Sequence, residues 1–184
     1  FTPPASDGGF PITNYKYSTD NGATWTARSP AATSSPMTIQ ALANGHTYQV
    51  LLRAVNPVGD GAVSNMMTVT PRTVPEAPTA LVATTGDASA SIAFIPPAFD
   101  GGAAVVNYQY ALSVDDGAMW ASWVPLAPAD GTSPVAIPGL ANWTPYRVKL
   151  RAVNAAGVGA ESAPSAPFTP APVGMVFTAV TPAR

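Results

Sequence analysis

The chain has 184 residues, room for two ordinary domains of about 90 residues and not more. Eight Lys and Arg stand against ten Asp and Glu, and at 10% charged the chain has too weak a field to attract nucleic acid or an anionic membrane. Cysteine is absent, which excludes disulfides and thiolate metal sites, and no apolar run reaches the roughly 18 residues of a membrane span.

The 21 prolines and 15 glycines are scattered between short apolar runs, the pattern of an all-β chain with many turns. In chain order, a strand is expected from Ile12 to Tyr17, where aromatic side chains alternate. Asn21-Gly22 closes a hairpin, because both residues tolerate positive φ, and Trp25 begins the return strand. Further strands follow at Met37–Gln40, Thr47–Val55 and Ala62–Thr70. Pro71 to Pro78 is rich in proline, which cannot donate to a sheet, and reads as a short stiff linker. Beyond it come strands at Thr79–Thr84, Ser89–Ile95 and around Tyr108, a second hairpin at Asp116-Gly117, and strands at Val135–Ile137, Pro145–Val153 and Ala160–Thr169.

The second series repeats the first. Phe94-Ile95-Pro96-Pro97 lies 93 positions after Phe1-Thr2-Pro3-Pro4, and the segment from Tyr146 to Gly159 lies 98 positions after that from Tyr48 to Gly61. The chain is therefore two copies of one small domain, with length changes absorbed in loops. The copies are out of phase with the chain ends. Copy two devotes Pro78–Ala93 to its first two strands, whereas copy one starts at Phe1, the counterpart of Phe94.

The Pro-Pro and Asp-Gly-Gly before a Tyr-x-Tyr strand, Leu42 and Leu140 before Tyr48 and Tyr146, and Arg-Ala-Val-Asn followed by two spaced glycines and Ser64 or Ser162 together resemble the fibronectin type III domain. The resemblance covers nearly the whole chain and is to the form common in secreted bacterial proteins. It implies tandem seven-stranded, immunoglobulin-like β-sandwiches, the first lacking its first two strands in this chain. The expected division is 1–71 for the incomplete domain, 72–78 for the linker, 79–170 for the complete domain and 171–184 for a tail. In this family a tyrosine bonds nearby backbone at a corner, which makes Tyr48 and Tyr146 structural. Phe94 and Phe1 stand where many members carry tryptophan.

Copy one's missing strands leave Tyr15, Tyr17, Val50, Leu52 and Ala54 on a face that something else must cover, since several exposed apolar side chains cost several kcal/mol, comparable with the stability of a small domain. The tail supplies a matching piece. Aligned on the closing Thr-Pro, Thr178-Ala179-Val180 falls on Thr79-Ala80-Leu81, so Met175, Val176, Phe177, Thr178, Ala179 and Val180 form a candidate donor strand. The ends fit a window cut from a longer tandem array, or a subunit that passes its tail to the next molecule.

No catalytic residues, metal ligands or cofactor are expected. His46 is the single histidine and follows Asn44-Gly45, as a solvent-facing turn residue does. Asp7, Asp100, Asp115, Asp116 and Asp130 all neighbour turns and read as turn makers rather than calcium ligands or a glycosidase pair. Trp123 and Trp143 have no aromatic counterpart in copy one and form the candidate contact surface. Asn142-Trp143-Thr144 matches the N-glycosylation pattern but is assigned no function.

The expected function is that of a non-catalytic structural or adhesive module of a tandem surface protein, extracellular or at the cell surface. The alternatives are a filament or virion-appendage subunit joined by strand addition, and an accessory spacer or sugar-binding module of a secreted polysaccharide-degrading enzyme. The expected partners are neighbouring copies or adjacent repeats, with polysaccharide as the alternative.

Overall fold

The computed structural model describes residues 1–172, and the candidate donor strand Met175–Val180 lies outside them. The chain divides into two compact units, Phe1–Arg72 and Thr73–Arg184.

In the first unit, β1 (Asn14–Ser18), β2 (Thr26–Ala27), β3 (Tyr48–Asn56), β4 (Gly59–Val63) and β5 (Met67–Val69) make one sheet, in the order β2-β1-β3-β4 with β5 also on β3. All pairings are antiparallel, with Lys16 opposite Arg53 and Arg53 opposite Val63.

The second unit is a two-layer sandwich. One layer orders β10 (Val135–Pro138), β7 (Ser89–Ile95) and β6 (Thr79–Gly86). The other orders β12 (Gly157–Glu161), β11 (Arg147–Asn154), β8 (Asn107–Ser113) and β9 (Val124–Pro125). Alternation along β7, β10 and β11 turns Ile92, Ile137, Val148 and Leu150 inward, where they are fully buried with Tyr108. The hairpin dipeptides take the left-handed backbone their residue types allow, Asn21 at φ 59° and Asp116 at φ 60°.

Two expectations are corrected. Met37–Gln40 is not a strand. Its counterpart β10 bonds to β7 alone, and the first unit has no β7 in this chain to pair with. The final strand of each copy is broken: β4 stops at Val63 before β5, and after β12 only a single bridge joins Phe168 to Tyr146.

The residues from Thr73 onward fall in the second compact unit. Thr73 N–H donates to Gly101 O at 2.8 Å, Glu76 N–H to Phe99 O at 3.0 Å, and Pro75 O accepts from Ala160 N–H at 3.2 Å. Proline has no N–H to leave unpaired, so Pro75 and Pro78 are fully buried without a lost hydrogen bond.

Candidate functional site

Strands β3 and β11 carry the same inward alternation, with Val50, Leu52, Ala54 and Asn56 answering Val148, Leu150, Ala152 and Asn154. In the second unit this row is sealed by the opposite sheet, and Leu150 and Ala152 are 0% exposed. In the first unit Leu52 and Ala54 are only half-buried and line an open groove of about 620 Å3. Its walls include Tyr15, Asn56, Gly61 and Ala62 together with the N-terminal segment from Phe1 to Gly8.

What fills the equivalent space in the second unit is the segment beginning at Thr73. Asn154 Nδ2 donates to Thr73 O at 2.8 Å and to Asp100 O at 2.7 Å, while its Oδ1 accepts from Ala156 and Gly157 N–H. A Cβ added at Gly159 would stand 2.4 Å from Pro75 O, and one at Gly157 would stand 3.5 Å from Val74 Cγ1. Glycine at 159 lets the extended segment lie directly on the sheet, while Gly157 holds φ +136°. In the first unit Asn56 Nδ2 donates to Asp7 O at 2.8 Å, and its Oδ1 accepts from Val58 and Gly59 N–H. Nothing stands within 4 Å of a Cβ on Gly59, and one on Gly61 meets only Ala54. Among the described residues this surface of the first unit is open.

The face is less exposed than the sequence suggests at one end. The Phe1 ammonium donates to Ser35 Oγ at 3.1 Å, as Phe94 N–H donates to Ser133 Oγ at 2.9 Å. The Phe1 ring then covers Tyr15, which is 3% exposed. Val50 is buried as well.

Tyr48 Oη accepts from Ala43 N–H at 2.8 Å, and Tyr146 Oη accepts from Ala141 N–H at 3.1 Å. His46 is exposed and lies edge-on to Tyr48. Trp123 and Trp143 are not brought together as an aromatic pair among the described residues. Trp123 lies under the Arg151 guanidinium, 4.2 Å from its ring centre, on the outer face of β11. Trp143 is 73% exposed in the β10–β11 loop and holds φ +65°, where copy one has Gly45 at φ +79°. Trp25 and Trp120 sit under Arg53 and Lys149, so three of the four tryptophans are capped by cations. Asn142 closes the second unit, with Nδ2 donating to Asp87 Oδ1 and Oδ1 accepting from Ala88 N–H.

The aspartates hold turns. Ser18 Oγ donates to Asp20 Oδ1 at 2.6 Å, and with Thr24 this holds the Asp20 carboxyl at about 2, below its ordinary 3.8. Ser113 Oγ likewise donates to Asp115 Oδ1 and lowers its carboxyl below the ordinary value, with Met119 N–H adding to the lowering. Thr132 lowers Asp130 through its hydroxyl and N–H. Among the described residues no group of three or more His, Asp or Glu is placed to hold a metal ion. The Ser18–Asp20 and Ser113–Asp115 clasps, and the bridging role of Asn56 and Asn154, are not singled out by sequence. Their signal is identity between copies at polar positions.

A model of the fibronectin type III domain matches residues 76–168. The chain belongs to this family. Among solved structures, a titin fragment is 18% identical at a TM-score of 0.57, covering 86% of this chain and 55% of that one. The FN1-FN3 domains of chicken CNTN1 are 21% identical, with a TM-score of 0.46 and 91% of this chain covered against 59% of that one. The twitchin kinase region from C. elegans is 30% identical, with a TM-score of 0.44 over 53% of this chain and 17% of that one. The chain thus spans less than two thirds of each of these structures. The likeness to titin is one of fold, and a fibronectin type III fold serves generally as a non-catalytic structural or adhesion module. No helix of the described residues is long and apolar enough to cross a membrane.

Proposed function

We propose that the chain is a structural or adhesive segment of a tandem array that works outside the cell or at its surface, with adjacent repeats or neighbouring copies as its partners. One observation carries this reading: the same side-chain clasps recur at the same atoms in both units. Ser18 and Asp20 answer Ser113 and Asp115, and Asn56 answers Asn154. Asn14 Nδ2 on Arg28 O likewise answers Asn107 Nδ2 on Leu126 O. Polar residues kept in both copies are engaged in holding the fold, which suits a unit selected for repetition. Antibody against the chain is expected to label intact source cells or particles. Labelling that requires permeabilisation overturns the reading.

A second reading, a filament or appendage subunit joined head to tail, is favoured by the open groove of the first unit. The accessory sugar-binding reading has less support, because cations cover one face of Trp25, Trp120 and Trp123 and leave Trp143 as the one uncapped tryptophan among the described residues.

A further inference from the structure

We propose that the outer face of the second unit around Arg151 is a docking site for a protein segment that presents an aspartate or glutamate carboxylate beside apolar side chains. The inference deepens the adhesive reading and rests on it for the partner being a protein.

The two copies treat one arginine differently. In the first unit Arg53 lies over the Trp25 ring, 4.1 Å from its centre. Its Nη2 holds the Asp60 carboxylate at 2.8 Å, which Lys16 Nζ shares at 2.9 Å. In the second unit the same positions carry Arg151, Val158 and Gln109, in the same register. The Arg151 guanidinium lies 4.2 Å over the Trp123 ring, and its Nε donates to Gln109 Oε1 at 2.9 Å. Those contacts fix the fork without neutralising it. Among the described residues no ion pair includes Arg151. Val158 stands in the place of Asp60, and Glu161, opposite Arg151 in the register, is 3.3 Å from Lys149 Nζ instead. The Arg151 Nη groups have no hydrogen-bond partner among the described residues and are not buried, so a ligand can reach them.

The surroundings select the occupant. With Nε in use, the fork offers its Nη edge, whose match is a carboxylate accepting two parallel hydrogen bonds. Val153 shares the outward alternation of Arg151, and Val158 is directly opposite it, which places apolar surface beside the fork. A polyanion such as an acidic polysaccharide is gripped by several cations at once. Here Arg147 and Lys149 are already paired, with Asp116 and Glu161. One unpaired guanidinium beside two valines fits one carboxylate on an otherwise apolar protein segment.

The test is nuclear magnetic resonance of the full chain at low salt, where exposed charges are least screened. The probes are a capped Ala-Val-Asp-Val-Ala peptide, its Ala-Val-Asn-Val-Ala analogue and an oligogalacturonate. The Arg151 Nε–H and Trp123 indole N–H resonances are expected to move saturably with the aspartate peptide. The asparagine peptide is expected to bind at least about tenfold more weakly. Val158→Asp gives the second unit the carboxylate that the first has at Asp60, and is expected to fill the fork from within. It and Arg151→Gln are each expected to weaken the aspartate peptide at least about tenfold. The unmodified chain with its two peptides decides the matter even where a variant does not fold. Equal response to both peptides, response to neither, or an affinity untouched by a folded Val158→Asp variant overturns the site. Tighter binding of oligogalacturonate than of the aspartate peptide overturns the protein partner. None of these outcomes touches the surface reading, which antibody labelling tests separately.

Discussion

Phe1 meets Tyr15 edge-on with ring centroids 4.6 Å apart, the same separation at which Phe94 meets Tyr108. Two units of one sequence family build this corner identically, yet Tyr108 is sealed beneath a second sheet and Tyr15 borders a groove. The contrast makes equivalent substitutions in the two units unequal, which is measurable.

Ile137 is 0% exposed, whereas its counterpart Ile39 is half-exposed and outside any strand. Ile137→Ala is expected to cost about 2–5 kcal/mol, as for a buried aliphatic leaving a cavity. Ile39→Ala is expected to cost about 1 kcal/mol or less, since little area is removed from water there. Calorimetry of the two variants checks the difference, and equal losses would show that the first unit is as closed as the second.

Removing the corner hydroxyl isolates a single hydrogen bond. Tyr146→Phe leaves Ala141 N–H without its acceptor at 3.1 Å and is expected to cost about 1 kcal/mol in denaturant unfolding. Tyr108→Phe has the opposite expectation. Its buried hydroxyl has no hydrogen-bond partner among the described residues, so the phenylalanine variant is expected to be at least as stable as the parent.

The fold was largely legible because its signals are local. Asn21-Gly22 and Asp116-Gly117 announce their turns, and the alternation around Tyr15 and Tyr108 announces strands with one buried face. Met37–Gln40 shows the limit of such signals: the pattern Met-x-Ile is that of a strand, but its ladder depends on a partner strand that local pattern does not count. Thr73–Pro78 shows a second limit. Its prolines suggest a short stiff linker, and the close approach of Pro75 O to Gly159, distant in sequence, is not announced by local pattern. The open face was legible by alignment, but its shape was not, because the shift between copies does not say that Phe1 reaches Ser35.

Acid is expected to act through the turn clasps. The Ser18 hydroxyl, with Thr24, holds Asp20 at about 2, and Ser113 lowers Asp115. A carboxyl depressed in the folded state contributes its stability above the ordinary carboxylate value and loses it as pH falls through the folded one. Stability is therefore expected to fall from near pH 3.8 toward about 2. Asp20→Asn with Asp115→Asn is expected to flatten that fall, read by thermal melts across the acid range. An unchanged acid slope would sink the assignment.

Trp143 holds a left-handed backbone conformation that bulky residues adopt at a cost of about 1–2 kcal/mol. Glycine relieves that strain and gives back part of the gain through unfolded-chain freedom. Trp143→Gly is expected to stabilise the second unit by about 0.5 kcal/mol or more. If Trp143 is also a contact residue, the same variant weakens partner binding while the melt rises, a pairing that simple packing does not produce.

The duplicated glycine pair has a consequence for folding. If the surface at Gly59 and Gly61 receives an extended segment as that at Gly157 and Gly159 does, each chain is expected to offer two docking places to a Val74-Pro75 segment. Recovery from denaturant then becomes a contest between a tethered segment and free ones, settled by effective concentration. Dilute refolding favours the tethered outcome, while crowded refolding exchanges segments between molecules.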